Sequence, residues 1–100
     1  MLVLALLAEA ESYGYELVTR LQAAGLTEMG AGTVYPVLNR LERDGTITSR
    51  LVPSSSGPAR KYYRPTAQGS TELAAATDAW QRLTGTVAGV LTHADQKEQP

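Results

Sequence analysis

The sequence predicts a mainly α fold with a small β-hairpin, and three observations support this fold class. Apolar residues recur at helical spacing in four stretches of the chain. Between the third and fourth stretches, residues 46–64 alternate in polarity on either side of a run of turn-forming residues. The composition, with 100 residues of which 43% are hydrophobic and 19% charged, fits one soluble globular domain with a limited core.

The first apolar run, Leu2–Ala8, is interpreted as a buried helix. Its apolar core followed by Ala-Glu-Ala is also typical of a secretory signal with a cleavage site. However, no basic residue precedes the run, and the segment is shorter than most signal peptides and far too short to span a bilayer. We therefore favour the buried helix, and we expect a cytoplasmic protein without membrane contact.

A second helix is predicted to begin near Tyr13, with Ser12 as its N-cap residue. Glu16 and Arg20 lie one turn apart and are expected to form an ion pair. Gly25 suits the position just after the helix, where glycine commonly adopts a left-handed backbone. The apolar stripe of this helix consists of Leu17, Val18, Leu21 and Ala24.

A third helix is predicted from about Ala31 to Asp44, ended by Gly45. Pro36 is expected in or near its first turn, where the missing N–H is least harmful. The two helices with their short link predict a helix-turn-helix. The inward-facing residues of the third helix are Val34, Val37, Leu38 and Leu41.

Two strands of a hairpin are predicted next. The first is "TITSRLV" (residues 46–52), with Ile47 and Leu51 on one face, and the second is "RKYYR" (residues 60–64), which Pro65 stops. Tyr62 and Tyr63 point to opposite faces, so at least one of them is expected in the core. The segment between the strands, "PSSSGPA", is predicted as a flexible loop. A hairpin in this position after a helix-turn-helix is a wing.

The last helix is expected to start at Thr66, as its cap, and to end at about Leu91. From Leu73 onward its larger apolar residues are spaced 3, 4, 3, 4 and 3 apart, which is the heptad pattern of a helix–helix seam. We therefore expect three regions: a winged-helix DNA-binding domain (1–66), a C-terminal dimerisation helix (67–92) and a disordered tail (93–100). The seam consists of Leu73, Ala76, Trp80, Leu83, Val87 and Val90.

Positive charge is concentrated in the middle of the chain. Residues 31–66 contain six basic and two acidic residues, although the whole chain has a net charge of -1. On the third helix, residues that suit base edges or phosphates share the side opposite the apolar stripe. In the hairpin, two further basic residues can reach phosphates. The predicted DNA-binding residues are Thr33, Pro36, Asn39, Arg40, Arg43, Arg60 and Lys61.

A simpler interpretation exists for each of these groups. The polar side of the helix can be a solvated face, with Arg43 paired to Asp44 or Glu42, and the hairpin charges can protect an exposed strand edge. Because the helix and the wing occur together, the DNA interpretation is favoured. The alternative is a winged-helix protein–protein interaction module without DNA binding, in which Glu42 and Asp44 would neutralise the basic face.

Catalytic and metal-binding motifs are missing from the sequence. The chain has no cysteine and one histidine, His93, so thiolate or multi-histidine metal sites and histidine-activated nucleophiles are not expected. The "GAG" at residues 30–32 is not followed by the third glycine of a dinucleotide fingerprint, and no phosphate loop occurs. We expect neither an enzyme nor a cofactor.

Trp80, the only tryptophan, lies on the predicted seam. The simpler interpretation is an aromatic residue that packs in a dimer interface. The alternative is a stacking surface for a planar aromatic ligand between two copies of the chain. That ligand site would consist of Ala76, Trp80, Leu83, Thr84 and Val87.

Three segments resemble the PadR family of bacterial transcriptional regulators in order and spacing. They are "YGYEL" (Tyr13–Leu17), "GTVYPVLNRLERDG" (Gly32–Gly45) and "ARKYYRPTAQG" (Ala59–Gly69). The resemblance extends from Leu2 to about Leu91, and it implies a winged helix with a C-terminal dimerisation helix. It also implies operator binding as a homodimer, usually for repression.

The single short C-terminal helix resembles the small subfamily of PadR regulators. Some of those proteins bind flat aromatic drugs between subunits, with a tryptophan placed like Trp80. The sequence departs from the family where Pro65 replaces the usual leucine and where Pro58 stiffens the wing tip. The chain also begins within the first helix, whereas family members usually carry several more residues there as part of the dimer interface.

Overall fold

The computed structural model of the protein describes residues 1–98 and confirms the mainly α fold with a β-hairpin. The sheet has the order β1-β3-β2, in which β1 is a strand that the sequence analysis does not predict. Two residues are too few to reveal a polarity period, so β1 becomes recognisable only through its partner strand. The elements are α1 (Leu2–Glu9), β1 (Ser12–Tyr13), α2 (Gly14–Ala23), α3 (Ala31–Arg43), β2 (Ile47–Ser54), β3 (Gly57–Pro65) and α4 (Ala67–Glu98).

The hydrophobic core lies where α1, α2 and α3 meet the sheet. In α1, the side chains of Val3, Leu4 and Leu7 are at most 6% exposed, which confirms the predicted buried helix. Burial of one such aliphatic side chain stabilises a fold by about 1.5–3 kcal/mol. The largest fully buried apolar side chains are Leu17, Leu21, Val34, Leu38 and Ile47.

The start of α2 differs from the prediction. Tyr13 is the N-cap residue and makes no side-chain capping bond, whereas Ser12 is buried within β1. The Ser12 hydroxyl accepts a hydrogen bond from the Arg20 guanidinium at 2.7 Å instead of capping the helix. At the other end, Gly25 has φ 111, which confirms its predicted left-handed role.

Arg20 joins α2 to the end of α1, so the predicted pair with Glu16 is wrong. The guanidinium donates to the carbonyl oxygens of Leu6 at 2.7 Å and Ala10 at 2.9 Å. It also lies 3.9 Å from the Glu9 carboxylate. The Leu6 carbonyl also accepts the Ala10 N–H at 3.1 Å, so the guanidinium adds a second bond there and supplies a donor to the Ala10 carbonyl just beyond the helix. Hydrogen bonds from a charged group contribute more than an exposed ion pair would.

Pro36 lies in the second turn of α3, one turn later than expected. It is the sixth residue of a helix that begins at Ala31 and ends at Arg43. Proline cannot donate to the carbonyl group four residues earlier, which here belongs to Gly32. Gly32 is exposed, so water can replace the missing donor. Gly45, with φ 81, ends the helix as predicted.

The wing is a tight hairpin, and the flexible loop predicted for residues 53–59 is wrong. Only Ser55 and Ser56 join β2 to β3, which pair in antiparallel register. Pro53 falls where that register shifts between Val52 and Ser54, so the ladder there does not need its missing N–H. A proline that sequence rules assign to a loop is therefore tolerated within the strand.

The wing projects beyond the core. Ile47, at its base, is 2% exposed, whereas Leu51 on the same strand is 69% exposed. Alternation places both residues on one face, but only the base of that face meets α3. Tyr63 is 4% exposed and Tyr62 is partly buried, which confirms that one of the two tyrosines belongs to the core. The β3 strand ends at Pro65, as predicted.

α4 is longer than predicted. The Thr66 hydroxyl accepts a hydrogen bond from the Gly69 N–H at 3.1 Å, which confirms the predicted cap. The helix continues to Glu98, past the predicted end at about Leu91, so residues 93–98 are helical in the structure, while residues 99 and 100 of the predicted tail lie outside the described residues. Residues 93–98 contain no glycine or proline and are rich in good helix formers.

An open apolar seam follows the part of α4 that packs on the core. Leu73 is partly buried against the core, but Trp80, Leu83, Val87 and Val90 are between 47% and 64% exposed. We call Ala76 and these four residues the α4 seam. Within residues 1–98, no helix is both long enough and apolar enough to cross a membrane.

The end of α3 and the start of α4 are joined by a set of hydrogen bonds, which we call the α3–α4 junction. The Thr46 hydroxyl donates to the Leu41 carbonyl at 3.1 Å. Thr66 donates through its hydroxyl to the Gly45 carbonyl at 2.6 Å and through its N–H to the Thr46 carbonyl at 3.0 Å. Gly69 packs directly on this group, since an added Cβ would lie 1.9 Å from the Thr46 carbonyl oxygen.

We expect Gly69→Ala to lower the free energy of unfolding by about 1–3 kcal/mol, because the new methyl group would overlap the Thr46 carbonyl. Gly85→Ala is the matched control, since it lies on the same helix with open space around it. It should raise the free energy of unfolding by about 0.5–1 kcal/mol through better helix propensity. Urea denaturation at one protein concentration measures both, and equal effects would contradict the close packing at Gly69.

Candidate nucleic-acid interface

The outer face of α3 carries five of the predicted DNA-binding residues. Val34 and Leu38 are fully buried on the opposite face, which fixes the rotation of the helix about its axis. The helical period then turns the polar residues toward solvent. All five are exposed, namely Thr33, Pro36, Asn39, Arg40 and Arg43.

The two arginines of this face differ in their surroundings. Arg43 lies 3.9 Å from Asp44, and both side chains are more than half exposed. Such a pair contributes little and can be exchanged for a phosphate contact. Among the side chains of residues 1–96, Arg40 forms no ion pair at all. Arg40 therefore presents its charge and its planar set of donors to solvent.

Lys61 connects the wing to α3. Its ammonium group lies 2.9 Å from a carboxylate oxygen of Glu42, whose other oxygen accepts a hydrogen bond from the Ser49 hydroxyl. The hydrogen bond from Lys61, followed by that from Ser49, lowers the pKa of Glu42. The same bond with Glu42 raises the pKa of Lys61. The Glu42–Lys61 pair thus fixes the wing against the helix and partly neutralises one of the predicted phosphate-binding cations.

Arg60 lies on the other face of β3 from Lys61. Its guanidinium stacks over the Tyr13 ring, 4.5 Å from the ring centre, and the rings of Tyr13 and Tyr62 meet edge to face at 5.4 Å. Among the described side chains, residues 1–96, Arg60 forms no ion pair. A stacked guanidinium keeps its edge donors free for an anion.

Folding divides the six basic residues of the middle segment into two groups. Arg50 pairs across the sheet with Glu11, and the hydrogen bond from Arg50 lowers the pKa of Glu11. Arg43 and Lys61 also have carboxylate neighbours. The charge available to a partner is therefore concentrated on Arg40, Arg60 and Arg64, which no ion pair engages among residues 1–96.

Four of the five predicted ligand-binding residues lie together on α4. They line a shallow groove of about 280 Å³ on the α4 seam, and they are Trp80, Leu83, Thr84 and Val87. The Thr84 hydroxyl donates to the Trp80 carbonyl at 2.8 Å, so the groove is largely apolar. Ala76, the fifth, is partly buried one turn earlier and does not line the groove, because its methyl group is too short to reach it.

Comparison with known proteins assigns the chain to one family. The Transcriptional regulator PadR-like family matches residues 3–75, from α1 into the first turns of α4. The chain belongs to the PadR-like family. The resemblance of its three sequence motifs to PadR regulators is thereby confirmed.

Several individual relatives align over most of the chain. A transcriptional regulator of Mycobacterium tuberculosis is 36% identical over 88 residues, which cover 86% of this chain and 78% of that protein. The crystal structure of a PadR-like transcriptional regulator from Bacillus cereus aligns with a TM-score of 0.83 at 37% identity, over 90% of this chain and 87% of that chain. Bacillus subtilis PadR, solved in complex with operator DNA, aligns with a TM-score of 0.64 at 27% identity, over 71% of this chain and 40% of that chain.

Sequence reasoning missed how the first PadR motif packs against α3. Gly14 of "YGYEL" lies under the ring of Tyr35 from α3, since an added Cβ would meet that ring at 2.5 Å. The missing side chain lets α3 approach the start of α2 closely. The sequence contains both Gly14 and Tyr35, but only the fold shows that they are in contact.

We expect Glu42→Gln to lower the free energy of unfolding by about 0.5–1 kcal/mol at about pH 7, because it removes the pair with Lys61. Folding lowers the pKa of Glu42, so its contribution is present above the ordinary value of 4.5 and is lost as the pH falls through the lowered value. The difference between the variant and the unmodified chain should therefore shrink as the pH is lowered from about 7 to well below 4.5. Denaturant titrations at both pH values measure this, and Glu28→Gln is the control without an ion pair among residues 1–96.

Proposed function

We propose that this protein is a sequence-specific DNA-binding transcriptional regulator that acts in the cytoplasm as a homodimeric repressor and not as an enzyme. The observation that carries the proposal is an exposed face of α3 with Arg40, beside a wing with Arg60, neither of which forms an ion pair among residues 1–96. A relative of the same family, Bacillus subtilis PadR, is solved with operator DNA. Occupancy of an operator would repress transcription by excluding the polymerase.

In the proposed complex, α3 enters the major groove. Arg40 can make a bidentate contact to guanine, Asn39 can make one to adenine, and Thr33 can reach a phosphate or a base edge. Pro36 and Arg43 complete the face that meets the groove. Arg60 and Lys61 on the wing contact phosphates, which fixes the register without reading sequence.

The alternative function is a winged-helix protein–protein interaction module without DNA binding. It would be favoured if carboxylates neutralised the basic face. Glu42 does engage Lys61, and Asp44 lies 3.9 Å from Arg43. Arg40 on the same face has no such partner among residues 1–96, and this favours DNA as the partner.

A homodimer is proposed because the α4 seam would leave a continuous apolar stripe in contact with water in a single chain. A second copy of α4 offers the same heptad pattern, and a seam of this kind is self-complementary about a two-fold axis. The dimer would place two copies of α3 at separated half-sites. We expect a roughly palindromic operator, with half-sites about one helical turn apart.

We expect Arg40→Gln to weaken binding to a specific duplex by about 1–3 kcal/mol and to relax the base preference at one position. Arg60→Gln should weaken specific and non-specific duplexes alike and lower the salt slope by about 1, because it loses a phosphate contact. Fluorescence anisotropy over a salt series measures both. Arg82→Gln is the control, since Arg82 pairs with Asp78 on α4 away from α3. Affinity that does not depend on salt would contradict DNA binding.

We expect Leu83→Asp to give a monomeric or unfolded protein, because it would place an unpaired charge in the α4 seam. Gln81→Asp adds the same charge on the outer side of α4 and should leave the dimer intact. Sedimentation equilibrium at micromolar concentration distinguishes the two variants. A folded monomer of the unmodified chain under these conditions would reject the dimer.

We also propose that the seam accepts a planar aromatic effector at Trp80. Two copies of Trp80 would approach near the dimer axis, and a flat ligand stacked on them would gain about 0.5–1.5 kcal/mol per aromatic pair beyond area burial. A cationic ligand would gain a further cation–π contribution. Such a ligand relieves repression only if it binds better to a dimer whose α3 helices are mis-spaced for DNA.

We expect planar dyes to quench the fluorescence of Trp80, the only tryptophan, because they would stack on its indole. The Trp80→Ala variant has no tryptophan, so its binding is followed by the absorbance of the dye. It should bind the dye at least tenfold more weakly, which corresponds to a loss of about 1.4 kcal/mol in binding free energy. If no dye quenches the tryptophan, or if Trp80→Ala binds equally well, Trp80 only closes the interface. The DNA-binding proposal would then stand without an effector.

A further inference from the structure

A cleft opens between α3 and the wing at the point where β1 ends. It has a volume of about 230 Å³ and is lined by Tyr13, Gly14, Tyr35, Arg60, Lys61 and Tyr63. That volume equals several water molecules at about 30 Å³ each, which is enough for a phosphate with part of its sugar. We call it the α3–wing cleft.

The lining of the cleft suits an anion. Arg60 and Lys61 bring two positive charges to it, and no carboxylate of the described side chains, residues 1–96, lines it. Glu42 holds Lys61 from outside the cleft and offsets one of these charges. Arg60, Lys61 and Glu42 together carry one net positive charge. This charge matches the single negative charge of a phosphodiester better than the larger negative charge of a phosphate monoester.

The tyrosines of the cleft supply neutral donors. Tyr63 is 4% exposed, and burial raises its pKa, so the phenol remains protonated. Tyr35 is 41% exposed and Tyr13 is partly buried. Within residues 1–96, the hydroxyl groups of Tyr13 and Tyr35 form no hydrogen bond in the folded chain, so they remain available to an anion.

The edge of β3 beside the cleft is open. β1 pairs only with Tyr62 and Tyr63, so residues 57–61 of β3 have β2 on one side and no strand of the described chain on the other. In an antiparallel sheet, alternate residues of such an edge point their N–H and C=O groups outward. Backbone groups of alternate residues on this edge are therefore left without a strand partner beside the cleft, although Pro58 contributes no N–H.

The cleft lies next to the face of α3 that is proposed to read bases. At 3.6 residues per turn, Tyr35 and Glu42 lie on the flank of α3 that meets the wing, and Asn39 lies between that flank and the outer face. A helix in the major groove has a sugar–phosphate strand along each flank. The strand on the wing side would have to pass over the mouth of the cleft.

We propose that the α3–wing cleft binds one phosphodiester of the DNA backbone in each half-site, with Tyr13 and Tyr35 as phosphate-contacting residues beside Arg60 and Lys61. This inference rests on the proposed DNA-binding function. It assigns the phenol groups a role that composition did not suggest. It also gives Gly14 a role, because the missing side chain leaves room for the Tyr35 ring, which lines the cleft next to Gly14.

A chemical double-mutant cycle tests the proposal. A duplex is first selected from a random pool for binding to the unmodified full chain, and each backbone phosphate is then replaced singly by a neutral methylphosphonate. At one phosphate per half-site, the replacement should weaken binding about tenfold. Tyr35→Phe and Arg60→Gln should each weaken binding to the unmodified duplex by a similar factor.

The decisive result is coupling between the two changes. On the duplex with the neutral group at that phosphate, Tyr35→Phe and Arg60→Gln should cause almost no further loss. Tyr15→Phe is the matched control, because Tyr15 is 65% exposed and does not line the cleft, and it should bind every duplex like the unmodified chain. If Tyr35→Phe fails to fold, Arg60→Gln completes the same cycle from an exposed position.

Two different failures are distinguishable. If the unmodified chain binds the selected duplex but the effects of both variants remain additive at every phosphate, the cleft proposal is overturned and DNA binding stands. If no duplex can be selected, the proposed function fails and the cleft proposal fails with it.

Discussion

The arrangement of the two surfaces proposed for DNA binding and dimerisation, on α3 and α4, depends on the carbonyl group of Thr46. It accepts the Thr66 N–H at 3.0 Å and leaves no room for a side chain at position 69. The same short segment is held to α3 through the bond from the Thr46 hydroxyl to Leu41. The direction in which α4 leaves the domain is therefore fixed relative to α3 by backbone contacts, which are much stiffer than packed side chains.

This rigidity connects the α4 seam to α3, the helix proposed to face DNA. Two chains joined along the α4 seam would hold their α3 helices at a separation that the two junctions determine. A change in how the two α4 seams pack, such as one caused by a ligand at Trp80, would therefore also change the distance between the two α3 helices. The proposed regulation thus requires no flexible element between the two surfaces.

The electrostatics of the interface are set by contacts between distant parts of the chain. Glu42 and Lys61 are 19 residues apart, and Arg50 and Glu11 are 39 apart, yet both pairs form in the fold. They hold the wing to α3 and to the start of the sheet. Because Lys61 and Arg50 are paired with carboxylates, two of the six central cations are less available to a polyanion. The positive charge that remains available is confined to a smaller part of the surface than the sequence indicates.

The sequence by itself determined the helices, the wing and the outer face of α3, because these follow from local periodicity and from caps such as Thr66 and Gly45. Only the tertiary structure determined which charged and polar groups are in contact. Arg20 donates to the end of α1 instead of pairing with Glu16, and β1 forms only because β3 lies beside it. The α3–wing cleft is of the same kind, since Tyr13, Tyr35 and Arg60 come from three separate elements. The spacing of apolar residues within one segment shows which side of that segment is buried. Contacts between distant residues depend on how all the segments pack together, and a short stretch of sequence does not contain that information.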